Sequence, residues 1–596
     1  MASISQNGGG NLFRIKSFLG LNQSDDGEAD LKAGEAAVMR NFRVTREGNL
    51  QIRPGYAPRH KLGEGEVRAL WSGFVGGEQV LLALCGGSLW RAEGEEAVLC
   101  GSVGEDSPGH IFGFGGKAYL LTGGEYYVWD GAALAPVEGY IPLVSVAAPP
   151  EGGGTLLEGV NRLTGKRRQR FSPDGTATLF TLAEDHLTAV LAVERSDGGE
   201  VPDWTADPEK GTVTFDSAPA VGTDCLTVTY DTGTDDRKTV ADMAFAEVYG
   251  GVTDSRVFLS GDGSNIALYS EPDGNGLPSA EYFPSLNLIT AGEANTPITG
   301  LIRHFSRLIV FKRDGAFSVS ASTMTLADGM AAAAFHVTPI QRDVGCAAPG
   351  QVCLVYNDPR TVWGGAVWRW SGNSGSLNDD ERTVSRLSQR VEATLKGWAV
   401  EDCTVFDDEM EMEWYLFHKE SALVHNYERD VWYQYTDLPV SHMVRHGGEL
   451  LFGTPTGEIM RFSREFRADN GAPIEAYWES GSMAFSRDRE LKNLSDLWVS
   501  LKPEERGQVT VTLRTDRRGG YPGRTVTSAV ASSFRHVNFA HFSFATSRAP
   551  QVKRVHIRLK KFAYASLIFS SASAESTVTL LGADLRFRTG GTVRRQ

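Results

Sequence analysis

The chain has 596 residues, with 59 Lys plus Arg against 74 Asp plus Glu, a formal net charge of −15. An apolar fraction of 41% is enough to fill real cores, so disorder and collagen are excluded as descriptions of the whole chain. At ~150 residues per domain the length calls for three or four domains, or one very large architecture.

Glycine is plentiful at 67 residues and proline scarce at 24, which suits many tight turns between short strands. The opening MASISQNGGGNLFRIKSF has no apolar signal core, so no secretory leader is read. No apolar run approaches the ~20 residues that cross a bilayer as a helix. The six cysteines, Cys85, Cys100, Cys225, Cys346, Cys353 and Cys403, are scattered and read as free thiols folded in a reducing compartment.

In chain order, short strand-like segments recur: QVLLALC (79–85), KAYLLT (117–122), TVTFDS (212–217), LTVTYD (226–231), RLIVFK (307–312) and EWYLFH (413–418). Helical spacing predicts only LKAGEAAVMRNF (31–42) and RTVSRLSQRVEATLKGW (382–398). Glycine-led hairpins with aromatic strands recur at GGSLWRA (86–92), GGKAYLL (115–121), GGEYYVWDG (123–131), GGAVWRW (364–370) and GGELLFGTPTGEIMRF (447–462), with RDGAFSV (313–319) as a single-glycine version. They suit the blades of a β-propeller, the alternative being unrelated hairpins in several sandwiches. Residues 144–237 read as an inserted small β-sandwich, with hairpin turns expected at Asp174-Gly175 and in the Pro-Ala-Val-Gly run of 219–222. The fold class is therefore all-β: a propeller with an inserted β-sandwich domain and a C-terminal β-sandwich domain. The divisions are an N-terminal arm and first strand (1–60), the first part of the propeller (61–143), the insert (144–237), the rest of the propeller (238–466) and a basic sandwich (467–596).

Charge is unevenly placed. Residues 470–596 are net +10 and residues 1–469 net −25. In VHIRLK (555–560), period-two alternation turns Val555, Ile557 and Leu559 to one side and His556, Arg558 and Lys560 to the other, so these three cations are interface candidates. They are expected chiefly against acidic protein surface, with DNA as the alternative.

Catalytic patterns are scarce. There is no Walker loop, HExxH or GxSxG. His442 and His446 on a strand would lie ~13 Å apart, too far to share a metal. The acidic run EDCTVFDDEMEMEWYLF (401–417) is the most tempting, since a glycosidase needs two carboxylates across a cleft. A turn at Asp407-Asp408 followed by a strand with Glu409, Glu411 and Glu413 on one face explains the same letters, and substituting Glu411 or Glu413 is then expected to change stability modestly. The turns SPDG (172–175), GDGSN (261–265) and PDGNG (272–276) lack the length and terminal Glu of an EF-hand. No cofactor, metal site or enzyme activity is expected.

The segment VMRNFRVTREGNLQIRPGY (38–56) carries a resemblance. With Gly20-Leu21-Asn22, Asp25-Asp26, Asn41-Phe42, Gly48-Asn49-Leu50 and Arg53-Pro54-Gly55, it resembles the opening of the tail-nozzle proteins of short-tailed bacteriophages, also called tail tubular protein B or packaged-DNA stabilisation protein. RVFLSGDG (256–263), LYSEPDGNGLPSAEYFPSLN (268–287), ITGLIRHFSRLIVFKRDGAFSV (298–319) and HNYERDVWYQYTDLP (425–439) follow in the order that the family implies. The resemblance implies a virion tail protein, folded in the host cytoplasm, in a homo-oligomeric ring of six. Its partners would be itself, a head–tail adaptor or connector ring, tail fibre or spike proteins, and the double-stranded DNA retained and then ejected through the lumen. A net acidic wall would repel phosphate and let DNA pass. Arg53 and Gly55 join the interface candidates, Gly55 being expected at positive φ in the turn that delivers the first strand. The alternative is a receptor- or carbohydrate-binding propeller, with Trp363, Trp368 and Trp370 available to stack on sugars. A propeller glycosidase is a third reading.

Overall fold

The computed structural model describes residues 3–7, 10–24, 31–94, 96–104, 109–250, 255–325, 331–372, 382–504, 507–528 and 549–592. Strands make up 55% and helix 3% of it, so the chain is all-β.

Seven antiparallel four-stranded meanders follow one another. The first comprises Val67–Val75, Glu78–Cys85, Ser88–Glu93 and Glu96–Ser102. The second begins at His110–Phe114, the third at Phe245–Gly250, the fourth at Ile298–His304, the fifth at Cys353–Val355 and the sixth at Thr404–Asp408. The seventh, His442–His446, Glu449–Gly453 and Glu458–Ser463, takes its fourth strand from Gly55–Lys61 near the other end of the chain. The first strand of each meander lies beside the first or second strand of the next, and the seventh returns to the first. The apolar cores sit between meanders. Leu82, Leu84 and Val80 of the first pack with Leu120 and Trp129 of the second, and Leu81 and Ala83 of the first pack with Leu451 and Ile459 of the seventh. This is a β-propeller-like ring closed by an N-terminal strand.

Paired left-handed residues make the tightest turns. Gly115 and Gly116 have φ of 56° and 78°, and Gly447 and Gly448 have 56° and 84°. Both central residues at positive φ match the twist of a two-residue hairpin.

Between the second and third meanders, a five-stranded sheet runs Thr155–Leu156, Leu143–Ala148, Lys166–Phe171, Leu226–Asp231, Ala189–Arg195. A three-stranded sheet runs Leu179–Thr181, Thr212–Phe215, Trp204–Asp207. Phe171, Phe180, Phe215 and Tyr230 fill a core that the two share. The two hairpins expected here are corrected. The Asp174-Gly175 turn and the 216–225 loop both carry the chain from one sheet to the other, because Leu179–Thr181 pairs with Thr212–Phe215 and Lys166–Phe171 pairs with Leu226–Asp231.

Toward the C-terminus, one sheet orders Ser3–Asn7, Gly10–Ile15, Thr579–Thr592, Glu490–Leu501 and Gln551–Val555. A second layer pairs Ala472–Ser480 with Ala565–Ser573 and that strand with Gln508–Thr515. Leu497, Val499 and Phe587 from the first meet Trp478, Val511 and Phe569 from the second in the largest core. Both expected helices are corrected. Within 31–42 the chain forms the strand Glu35–Arg40, recruited by Ala472–Ser480. Within 382–398 it forms the strand Arg382–Arg386, then short turns of helix at Ser388–Val391 and Glu392–Leu395.

Candidate functional site

The residues nominated from sequence go to different places. Arg53 is buried at 2% exposure. Its Nε donates to Asn41 Oδ1 at 2.9 Å, Nη2 donates to Thr436 O at 2.9 Å, and the fork grips Asp469 through Nη1 to Oδ1 at 2.8 Å. Tyr435 lies under the guanidinium, 5.8 Å from its centroid. A side chain so enclosed is no intersubunit contact, and that expectation for Arg53 is corrected. Gly55 is buried and does not take positive φ. A Cβ there would stand 2.3 Å from Ala468 O, so the need for glycine is a close backbone approach, not a left-handed turn.

The acidic run builds part of a cleft of about 350 Å³ between the sixth and seventh meanders, lined by Asp408, Glu411, Glu413, Glu449, Glu465, Arg43, Arg445, Arg461 and Arg464. The expectation of three glutamates on one strand face is corrected. Glu409 and Glu411 lie in the turn between Thr404–Asp408 and Glu413–His418, and only Glu413 enters the strand. Every carboxylate lining the cleft has an arginine. Arg445 Nη2 reaches both oxygens of Asp408, at 2.7 and 2.6 Å. Arg43 Nη2 stands 3.2 Å from Glu411 and 3.1 Å from Glu413. Arg464 adds a second contact to Glu411, and Arg461 Nε bonds Glu449 at 3.0 Å while its Nη2 bonds Glu465 at 3.0 Å. Glu413 also accepts the hydroxyls of Tyr415, at 2.7 Å, and Tyr433. Burial, reinforced by the Glu413 charge, pushes both tyrosines up. These carboxylates act as counter-ions that hold two meanders and the N-terminal strands together. Arg43, Arg445 and Arg464 carry no local sequence signal, because their partners are remote in the chain, whereas Arg461 and Glu465 are four residues apart.

Asp407 points to the other side of its strand, toward the fifth meander. Its carboxylate oxygens are enclosed. Burial is the main cause that pushes it up to about 7; Arg360 opposes, and Glu409 and Asp408 reinforce. Arg360 lies over the Trp414 and Tyr427 rings at 5.6 and 5.4 Å and donates from Nη1 to His425 Nδ1 at 3.0 Å. Burial holds His425 down at about 4, so the neutral ring donates from Nε2 to Asp430 Oδ1 at 3.0 Å. Tyr356, 64% exposed, meets Tyr427 edge-on at 4.7 Å above this cluster.

Of the tryptophans available to stack on sugars, Trp370 is buried, and Trp363 and Trp368 are half-buried against the same core. Trp370 is buried edge-on against Phe311 at 5.0 Å, and Trp368 Nε1 donates to Trp363 O at 2.9 Å. His442 and His446 reach the first meander: His442 bonds Arg68 O, and His446 Nδ1 lies 2.9 Å from Ser72 Oγ. Among the described residues, no three His, Cys, Asp or Glu gather as a metal would need. The six cysteines are unpaired thiols.

His556, Arg558 and Lys560 are exposed, with Val555, Ile557 and Leu559 buried between them. The strand expected over 555–560 is corrected. Gln551–Val555 ends before His556 and Leu559–Phe562 begins after Arg558, because the two stretches pair with different parts of Glu490–Leu501. His556, Arg558, Lys560 and the adjacent Lys561 make no ion pair among the described residues.

No family model matches the chain, and no curated protein does. Solved structures are matched. An exo-β-1,3-galactanase from Phanerochaete chrysosporium has 10% identity and a TM-score of 0.16, with 81% of this chain and 97% of that one covered. A glycoside hydrolase family 43 arabinoxylan arabinofuranohydrolase from Bacillus subtilis has 8% identity and a TM-score of 0.16, covering 58% and 79%. The insecticidal delta-endotoxin Cry8Ea1 from Bacillus thuringiensis has 8% identity and a TM-score of 0.15, covering 50% and 52%. The expectation of a non-enzyme is withdrawn, since glycoside hydrolases stand among the matched structures. At such TM-scores these likenesses carry no residue role or activity to this chain.

Proposed function

We propose that the chain is the subunit of a closed ring of the tail-nozzle class, built as a seven-bladed β-propeller with a β-sandwich inserted at 144–237 and a C-terminal β-sandwich at 467–596. The ring, of six copies, sits at a phage tail between an adaptor ring and fibre or spike proteins, and double-stranded DNA is retained and ejected through it. One observation supports this reading above the others: the phrase that carries the resemblance forms the junction of the whole chain. Asn41 donates to Thr436 Oγ1 and Glu475 O, each at 2.9 Å. Leu50 pairs with Leu580, and Arg53 grips Asp469. These residues fix the N-terminal strands, the propeller and the C-terminal sheets into one body, which a load-carrying ring subunit requires. Mass photometry and negative-stain microscopy of the purified full chain test it. Closed six-fold rings are expected. Monomers at every concentration, or only two- or four-fold species, overturn it.

A second reading, a carbohydrate-binding propeller, draws on the exposed Tyr356 ring beside Tyr427 and Asp407. Glycan-array binding that is lost in Tyr356→Ala supports it, and no binding to any glycan rejects it.

A further inference from the structure

One end of the inserted sheets gathers a group of carboxylates. The chain enters the five-stranded sheet at Leu143 and leaves it after Asp231, and the register sets both at the same end, with Leu143 opposite Arg168 and Lys166 opposite Asp231. The far end, away from the propeller, is where Ala148, Phe171, Arg195 and Leu226 lie side by side. Three loops meet there: 172–178, 196–203 and 216–225. Ser196 N donates to Cys225 O at 2.9 Å, Asp216 N to Asp203 O at 3.1 Å, and Gly222 N to Pro173 O at 3.2 Å. They bear Asp174, Asp197, Glu200, Asp203, Asp216 and Asp224 and no lysine or arginine within the loops, while Arg195 at the adjoining strand end stands 3.8 Å from Asp197. Backbone amides of Ala177 and Thr176 hold Asp174 down at about 2, so it stays ionised. Val221, 77% exposed, stands among these carboxylates.

The opposite charge sits on residues 551–562, which hold Lys553, Arg554, His556, Arg558, Lys560 and Lys561 and no acid. Val552 is 62% exposed in the same strip. Arg554 is already engaged by Asp496, and His556, Arg558, Lys560 and Lys561 are exposed without an ion pair among the described residues.

We propose that the acidic far end of the insert docks on the basic 551–562 strip of a second copy of this chain. The pairing rests on the ring reading above and names its contact. Two different patches meeting head to tail make a heterologous interface, the kind that closes into a ring when the rotation allows. Each patch has an apolar residue set among charges of one sign, and facing potentials of opposite sign steer and register association. At ordinary ionic strength this attraction acts only within ~8–10 Å, so it fixes the docked contact, not the long-range field.

Charge reversal on the full chain tests it by mass photometry across a salt series. The tip variant carries Asp197→Lys, Glu200→Lys and Asp203→Lys; the strip variant carries Arg558→Glu, Lys560→Glu and Lys561→Glu. All six positions are on the surface, and the combined variant restores opposite signs. Rings lost to monomer in each triple variant and regained in the combination are expected, together with wild-type rings that fall apart as salt rises. Rings that persist in both triple variants overturn the contact and leave the ring reading standing. Failure of the combination to restore rings also overturns it. Wild-type protein that never leaves the monomer overturns the ring reading itself. Strip-variant rings that stay intact but no longer retain a short DNA duplex assign the strip to nucleic acid and overturn the protein contact.

Discussion

Arg53 and Asp469, separated by 416 positions, meet in a two-pronged ion pair with Nη1 to Oδ1 at 2.8 Å and Nη2 to Oδ2 at 2.5 Å. Burial pushes the Asp469 carboxyl up, and the hydrogen bonds and charge of Arg53 pull against it. The position of the pair explains its worth. Arg53 stands two residues before Gly55–Lys61, the strand that closes the seventh meander, and Asp469 precedes Ala472–Ser480, the strand that leads into the C-terminal layers.

Removing one partner of a buried pair leaves the other charge uncompensated, at about 3–5 kcal/mol. Arg53→Met is expected to lower unfolding stability by that amount in urea titration. Arg53→Lys keeps the charge but not the planar fork, and is expected to fall between the two. Equal midpoints for wild type and Arg53→Met would show that the pair is not holding the junction.

The two cleft glutamates separate a buried from an exposed partner of one arginine. Glu413 is 1% exposed and accepts two tyrosine hydroxyls as well as Arg43, whereas the Glu411 side chain is 36% exposed. Glu413→Gln is expected to cost about 3 kcal/mol, and Glu411→Gln less than about 1 kcal/mol. From the structure a modest effect is expected of Glu411 alone. Thermal melts of the two variants check it, and indistinguishable melts reject it.

How far the sequence could be read depended on how local each determinant was. Gly115-Gly116 and Gly447-Gly448 declare their hairpins within two residues, since a pair of glycines readily takes the two left-handed conformations of a type I′ turn. The spacing in 31–42 suggests a helix, but Ala472–Ser480 pairs with Glu35–Arg40, and no local pattern reveals a partner so remote. The insert's turns failed for the same reason: Asp174-Gly175 has hairpin chemistry, yet the strand after it belongs to another sheet. Arg53 and Glu413 were visible as letters, but their roles depend on Asp469 and Arg43, which only the tertiary fold supplies.

Glycine is needed for different reasons at two nearby sites. Gly55 has ordinary φ but no room, with Ala468 O at 2.3 Å from a built Cβ, while Gly471 has φ of 90° and nothing within 4 Å. Gly55→Ala is expected to cost about 1–3 kcal/mol through overlap, and Gly471→Ala about 1–2 kcal/mol through left-handed strain. Asparagine tolerates the left-handed region, so Gly471→Asn is expected to recover part of the loss and Gly55→Asn none. Chemical denaturation of the four variants decides, and recovery in Gly55→Asn would contradict the steric account.

Asp407 sets a pH dependence that one substitution isolates. Its folded carboxyl is raised to about 7, by burial first, against an ordinary value of 3.8. Between about pH 4 and 7 the folded chain therefore keeps a proton that the unfolded chain has released, and this contribution to stability falls as pH rises through that window. His110, His425 and His442 work in the opposite sense. Burial holds each down at about 4, so the unfolded chain gains protons first and stability falls as pH drops below 6.5. The wild-type profile sums the two, and the difference between wild type and Asp407→Asn removes the histidines from it. That difference is expected to grow in favour of the variant from about pH 5 to about pH 8, by roughly 1–2 kcal/mol once solvent screening is allowed for. Arg360 limits the gain, because it loses a nearby counter-charge when Asp407 is replaced. Melting curves at several pH values read the slope directly. A difference that stays flat across the series would show that Asp407 titrates as an ordinary carboxylate and that the junction of the fifth and sixth meanders is wetter than its packing implies.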